Sequence, residues 1–132
     1  MPEVNWLAVG LSALSSLVLG GLWYSPMLFA KTWQDAVGLS DDELKAGNMG
    51  MIFGLTFVLS FIAAAVFAMF LGKEMSLGAA TAAGFSAGLC WVAAAYGITY
   101  LFEHRPLKLW LVNGGYHTLQ FTLFGLILGA MK

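Results

Sequence analysis

Long apolar stretches dominate the chain, and the polar residues are concentrated in the segments between them. Four stretches are long enough to cross a hydrocarbon core of roughly 30 Å, which requires about 20 helical residues. No Asp, Glu, Lys or Arg interrupts any of the four. Backbone polar groups at that depth must be bonded within their own segment, so the pattern predicts transmembrane helices and not open strands. The predicted spans are about 6–24, 49–71, 77–102 and 109–130.

The connections between the predicted spans differ greatly in length. Residues 72–76 and 103–108 are short enough to be tight turns, and Pro106 prevents a continuous helix across the second. The last three spans are therefore expected to pack as antiparallel neighbours. The first loop, residues 25–48, is long enough to contain structure of its own.

Within the first loop, apolar residues recur every four positions, at Phe29, Trp33 and Val37. They share one face of a helix, and polar residues occupy its other faces. A short amphipathic helix of this kind is typical of a segment lying in the membrane interface. We predict such a helix here, ended by Gly38.

A second helix start follows in the same loop. Ser40 and Glu43 have the spacing of a capping box. A helix running from there into the second span would be longer than the bilayer core. We expect its first turns to project from the membrane, or the helix to break near residues 47–48.

Composition supports a membrane protein. The 132 residues are 60% hydrophobic and only 10% charged, whereas soluble domains are about 45–50% apolar and about 25% charged. A small domain buries only about two-thirds of its surface, so the excess apolar surface must face lipid. The predicted fold class is an all-α membrane protein. It comprises a four-transmembrane-helix bundle with an interfacial amphipathic helix in the first loop, in one domain over residues 1–132.

Charge and cysteine content exclude several classes of protein. A net charge of −1 argues against nucleic-acid binding. A single cysteine, Cys90, excludes an intrachain disulfide and a paired-cysteine metal or redox motif. Four of the six Lys and Arg residues lie in the first and third loops, which places those loops in the cytoplasm and both termini outside.

The last span carries a polar stripe. Asn113, His117 and Gln120 are spaced i, i+4 and i+7, so they share one helix face. An ionisable residue such as His117 near the middle of a span indicates a functional site, for a ligand, a proton or a metal. The alternative is ordinary hydrogen bonding between helices, worth about 0.6 kcal/mol for each contact.

Two residues of the third span are expected near this stripe. Counting outward from the turn near Arg105 places Cys90 at the depth of Gln120, and Tyr96 at that of about Asn113 or Gly114. A metal site would need further ligands, and the spans contain no second His and no carboxylate. We therefore predict neither a metal nor a cofactor.

Small residues form a further pattern within the spans. Three Gly-x-x-x-Gly pairs occur there, and such pairs let helix backbones approach closely. We expect at least two of them to pack helices within the chain, and the surplus of small faces predicts a homo-oligomer. The pairs are Gly50 with Gly54, Gly84 with Gly88, and Gly125 with Gly129.

Signatures of known enzymes and transporters are missing. The spans lack the embedded carboxylate of small multidrug antiporters and the several cysteines of disulfide-forming membrane enzymes. Serine hydrolase, P-loop and dinucleotide-binding fingerprints are also absent. We predict that the protein is not an enzyme.

Two segments carry a family resemblance: residues 21–33, GLWYSPMLFAKTW, and residues 113–117, NGGYH. With four spans in about 130 residues, the chain resembles the domain of unknown function 1761 family over nearly its whole length. Ala30 stands where the family pattern has Gly. The resemblance implies a small multi-pass protein of the bacterial inner membrane, and it carries over no catalytic residue.

The leading hypothesis is a non-enzymatic membrane protein that binds or conducts a small molecule or lipid between its helices. The candidate binding residues surround His117, with two aromatic residues at the mouth of the site: Asn113, His117, Gln120 and Tyr96, and then Trp23 and Tyr24. The alternative is an accessory or scaffold subunit that packs against other membrane proteins through its small-residue faces. A membrane enzyme using His117 as a general base lacks an evident partner group.

Overall fold

The computed structural model describes residues 3–131, and these residues form helices without strands. Three long helical units and one central helix make up the bundle. The third unit is continuous but contains a six-residue π-helical segment. The elements are α1 Trp6–Trp23, α2 Ala30–Val37, α3 Asp41–Lys45, α4 Met49–Leu71, α5 Leu77–Ala87, the π segment Gly88–Ala93, α6 Ala94–Phe102 and α7 Leu107–Ala130.

Short polar side chains define where three of the long helices begin. Asn5, Asn48 and Ser76 each precede a helix, and each side chain accepts a hydrogen bond from a first-turn backbone N–H. These N–H groups have no partner within the helix, so the caps stabilise the three starts.

The first loop has the local structure predicted from its pattern. Helix α2 ends at Gly38, whose φ of 81° is left-handed, a conformation that glycine adopts without a steric penalty. Ser40 Oγ accepts from the Glu43 N–H at 3.1 Å, and Glu43 Oε1 accepts from the Ser40 N–H at 3.1 Å. The predicted break is also present, since α3 ends at Lys45 and α4 begins after Asn48.

Three helical units within residues 3–131 are long and apolar enough to cross a membrane: Trp6–Trp23, Met49–Leu71 and Leu77–Phe102. The sequence predicted four spans. The fourth candidate, α7, has the necessary length of 24 residues. It also contains Asn113, His117 and Gln120, whose polar side chains lower its mean hydropathy. The all-α fold is confirmed, with three clear candidate spans.

Helix α7 lies at the centre of the bundle. It contacts α1, α2, α4, α5, the π segment and α6. Helix α4 packs mainly on α1 and touches α7 over a small area. The core is formed by residues of α1, α4, α5 and α7 and includes the fully buried Phe124. Most of its other members are alanines, whose small side chains allow neighbouring helices to pack closely.

Glycines bring α5 and α7 into direct backbone contact. A Cβ on Gly84 would lie 2.0 Å from the Phe121 carbonyl oxygen, and one on Gly88 would lie 2.7 Å from that of His117. From the other side, a Cβ on Gly125 would lie 2.1 Å from a carbonyl oxygen of α5. This confirms that two of the three glycine pairs pack helices within the chain.

The π segment changes the register between the third unit and α7. The residues of that unit that face α7 are spaced by 4, 4, 5 and 4 positions: Ala80, Gly84, Gly88, Ala93 and Gly97. The five-residue step lies across the π segment, where one extra residue is accommodated. The indole Nε1 of Trp110 donates to the Ala93 carbonyl at 2.7 Å, which provides a partner for a carbonyl in this irregular turn.

Candidate functional site

All four tyrosines of the chain lie around the polar stripe of α7. They come from three parts of the bundle: the end of α1, the α6 helix and α7 itself. Aromatic and hydrogen-bond contacts connect them to two residues of the stripe, Asn113 and His117. The tyrosines are Tyr24, Tyr96, Tyr100 and Tyr116.

Asn113 connects α1 to α6. Its Oδ1 accepts the Tyr24 hydroxyl proton at 2.6 Å, and its Nδ2 donates to the Tyr100 hydroxyl oxygen at 2.8 Å. One amide side chain on the central helix therefore holds two tyrosines from opposite neighbours. The predicted stripe residue is part of a network between helices.

His117 lies between two aromatic rings. It stacks on Tyr96 with ring centroids 5.0 Å apart and ring planes 12° apart. It also makes an edge-to-face contact with Tyr116, with ring centroids 4.9 Å apart. Side chains of a helix lean toward its N-terminus, and α6 and α7 are antiparallel. Tyr96 therefore leans toward the bundle centre and His117 toward the third loop, so the two rings meet.

These contacts close into a ring of six side chains, called here the aromatic circuit. Tyr24 packs on Tyr116 with ring centroids 5.6 Å apart, and Tyr96 packs on Tyr100 with ring centroids 5.6 Å apart. With the stacking on His117 and the two bonds of Asn113, each member contacts the next. In order, the circuit is Tyr24, Tyr116, His117, Tyr96, Tyr100 and Asn113.

Gln120 fixes the orientation of the imidazole. Its Nε2 donates to Ser16 Oγ at 3.0 Å, so its Oε1 faces His117 Nδ1 at 2.7 Å. An amide oxygen only accepts, so Nδ1 carries the proton and Nε2 retains a lone pair. Within residues 3–131, Nε2 has no hydrogen-bond partner, and it is not completely buried.

The circuit is anchored at α1 and open at α6. Tyr116 is buried, and its hydroxyl donates to the Ser16 carbonyl oxygen at 2.9 Å. At the opposite side, Tyr96 is 36% exposed. His117 is itself only partly buried. The circuit therefore does not enclose the imidazole completely.

The structure places Trp23 away from the circuit. Its indole Nε1 donates to the Val112 carbonyl at 2.8 Å, and its ring lies beside Gly115 on another face of α7. Tyr24, the other residue predicted at the mouth, contacts Trp33 of α2 with centroids 5.7 Å apart. Helix α2 thus covers the circuit on the side of the first loop.

The predicted depths in the third helix need correction. Ala93, and not Tyr96, lies level with Gly114, where a Cβ would be 3.3 Å from the Ala93 Cβ. Tyr96 reaches His117 because its side chain leans toward the bundle centre. Cys90 is exposed and does not join the stripe. The discrepancy is already present on the turn side of the π segment, where Gly97 lies beside Trp110.

The model of a protein family described as "Protein of unknown function (DUF1761)" matches residues 7–129. The chain belongs to this DUF1761 family. The matched range includes every residue of the aromatic circuit. No curated protein and no solved structure matches the chain.

Sequence reasoning about this DUF1761 chain missed three members of the site. Tyr100 follows Tyr96 by four residues, so their shared helix face was available as a signal. Tyr116 precedes His117 in the sequence, but neighbours in a helix point to different faces. Ser16 is 104 positions from the amide it binds, and no local pattern indicates such a pairing.

The circuit combines groups that can make polar and aromatic contacts. It contains hydroxyl groups, an amide, aromatic faces and one accessible imidazole lone pair, and it contains no carboxylate, ammonium or thiol. Within the described chain, no group of three or more His, Cys, Asp or Glu side chains is placed to hold a metal ion. The residues present can accept a hydrogen bond and stack against a flat molecule.

Proposed function

We propose that this DUF1761 protein crosses the bacterial inner membrane four times and binds a small molecule at the aromatic circuit without catalysing a reaction. The packing of α7 supports a fourth span. It lies against the third helical unit from Trp110 to Gly125, and Asn5 donates to the Met131 carbonyl oxygen at its far end. Its polar residues face neighbouring helices, and such inward placement is typical of polar groups in membranes.

The oriented His117 with its accessible Nε2 carries the proposal. A hydrogen-bond acceptor inside a membrane protein is costly unless a donor reaches it. The neighbouring aromatic faces favour a flat apolar body, and the absence of a charged partner favours an uncharged molecule. The proposed ligand is an uncharged, planar molecule with an O–H or N–H donor.

The experiment is native mass spectrometry of protein extracted gently in mild detergent. The wild type is expected to carry one small molecule for each chain, and His117→Ala is expected to lose it. The matched control is His104→Ala, which removes the other histidine, located in the third loop. Retention of the molecule by His117→Ala would contradict the proposal.

Transport is distinguished from binding with the molecule so identified. If the protein conducts it, liposomes containing the wild type are expected to show flux and His117→Ala liposomes are not. Binding without flux would favour a receptor role within the membrane.

A second candidate, an accessory or self-associating subunit, is favoured by α4. A Cβ on Gly54 would meet nothing within 4 Å, and consecutive residues Met51, Ile52 and Phe53 are all exposed. We propose that this half of α4 packs against a second copy of the chain. Gly54→Leu is expected to reduce the oligomer on native mass spectrometry, whereas Gly10→Leu, at another open glycine, is not.

A further inference from the structure

A groove of about 490 Å³ lies between α6 and the start of α7, and His117 does not line it. Its walls are mainly apolar, and a cationic side chain, Arg105, lines one end. The apolar wall consists of Ala94, Ile98, Leu101, Leu107 and Trp110. The end of α6 and the start of α7 border the groove, and the third loop joins them. The groove therefore lies at the end of the bundle, at the level of the membrane interface.

The third loop fixes the position of Arg105. Its backbone N–H donates to the Tyr100 carbonyl oxygen at 2.9 Å, and the preceding His104 has a left-handed φ of 57°. The Arg105 Nε lies 3.2 Å from Glu103 Oε1. That bond uses one of the five N–H groups of the guanidinium.

The charge of the third loop and the first turn of α7, residues 103–108, is positive overall. Glu103 is the one carboxylate among these residues, and it is already paired, while Lys108 adds a second full positive charge. Helix α7 also begins here without a side-chain cap, so the partial positive charge of its first turn adds to that of Arg105.

We propose that this groove binds one anionic phospholipid, with its phosphate at Arg105 and an acyl chain along the apolar wall. A free phosphate ion would need only the cation, whereas the apolar wall requires hydrocarbon. Basic pockets between transmembrane helices on the cytoplasmic side are typical sites for anionic headgroups. The side with more Lys and Arg is the side assigned to the cytoplasm.

A second groove at the opposite end of the bundle provides the contrast. It has a volume of about 530 Å³ and is lined by Lys73 together with two carboxylates, Glu3 and Glu74. Lys73 lies 3.5 Å from Glu3 Oε2, so it resembles Arg105 in being a surface cation paired with one carboxylate. The second acid gives that groove an unfavourable charge for a phosphate.

The test is native mass spectrometry of the full chain after incubation with equimolar phosphatidylglycerol and phosphatidylcholine. The wild type is expected to retain phosphatidylglycerol preferentially. Arg105→Ala is expected to reduce that retention by about fivefold, the effect of one interfacial cation. Lys73→Ala is the matched control and is expected to leave it unchanged.

A second variant tests the apolar wall without changing charge. Ala94→Trp adds bulk inside the groove and is expected to lower phosphatidylglycerol retention, while Arg105→Lys is expected to keep most of it. Equal retention of both lipids by the wild type would overturn the proposal. So would unchanged retention in Arg105→Ala and Ala94→Trp, or full displacement by inorganic phosphate, which would indicate a site for a free anion.

The lipid site and the aromatic circuit are tested independently. His117→Ala is expected to keep phosphatidylglycerol, since His117 does not line the groove. Tyr100 is the one residue shared by both, because it lines the groove and bonds Asn113. Loss of the small molecule together with retention of the lipid would separate the two functions.

Discussion

Ser12 and Ser16 are both 0% exposed on α1, yet their hydroxyl groups differ in their partners. Ser16 Oγ accepts from Gln120 Nε2, while Ser12 Oγ is a buried atom without a hydrogen-bond partner among the described residues. A buried hydroxyl that lacks a partner costs stability, whereas one that satisfies a buried amide contributes. The bond from Gln120 to Ser16 therefore satisfies a buried amide and also orients His117.

The two serines give a matched pair of substitutions. Ser12→Ala is expected to leave the free energy of unfolding unchanged or to raise it by up to about 1 kcal/mol, since alanine also favours helix. Ser16→Ala is expected to lower it by about 1 kcal/mol. Thermal unfolding in detergent measures both. Equal effects would show that the hydrogen bond to Gln120 contributes nothing.

At the scale of elements, the third helical unit depends on its π segment. The segment advances the contact face by one residue, so α6 presents Gly97 to Trp110 and Tyr96 to His117. A continuous α-helix would rotate Tyr96 away from its partner by about 100°, the angle for one residue at 3.6 residues per turn. The circuit therefore depends on an irregularity in one helix.

Removing the hydrogen bond at that irregularity tests its contribution. Trp110→Phe keeps the aromatic body but deprives the Ala93 carbonyl of its indole donor. We expect a loss of about 1–3 kcal/mol, the cost of an unsatisfied buried acceptor. Trp91→Phe is the control, since Trp91 lies in the same segment and is 69% exposed. Equal unfolding temperatures for the two variants would contradict the assigned role.

The contact between α5 and α7 gives a prediction for the glycines. Gly84→Ala places a methyl group 2.0 Å from the Phe121 carbonyl oxygen, and overpacking of this kind costs about 1–3 kcal/mol or more. Gly54→Ala, where a Cβ meets nothing within 4 Å, is expected to be neutral or stabilising by up to about 1 kcal/mol. The free energy of unfolding of both variants tests this prediction. Similar values for the two would mean that α5 and α7 can move apart to accommodate the methyl group without loss of stability.

At the scale of the whole molecule, the number of spans determines where the termini lie. Three spans put the two termini on opposite sides of the membrane, and four put them on the same side. The difference between three and four spans depends on α7. This helix is long enough to cross the membrane, but one of its faces is polar. Its central position supports crossing, since the stripe faces other helices and not lipid.

Accessibility labelling in intact cells checks this topology. In a Cys90→Ser background, Glu74→Cys is expected to react with an impermeant maleimide, and Asp42→Cys is expected to react only after lysis. Tags at both ends of the chain are expected to be accessible together with Glu74→Cys. A C-terminal tag protected in intact cells, beside an accessible N-terminal tag, would show that α7 does not cross.

The sequence by itself determined the local features of this protein. Span limits follow from the length of hydrocarbon to be crossed, and they agree with the helices to within two residues at each end. Helix α2, its stop at Gly38, the Ser40 capping box and the break before Met49 depend on residues within one turn of each other. Neighbouring residues are therefore sufficient to predict where these helices begin and end.

Only the tertiary structure decided which side chains meet. The polar stripe of α7 was evident, but its partners Tyr100, Tyr116 and Ser16 were not, because their contacts depend on the rotation and register of separate helices. The π segment changes that register by one residue without a local signal in the sequence. The orientation of His117 follows from the same packing, since its neighbour Gln120 is held by a serine 104 positions away.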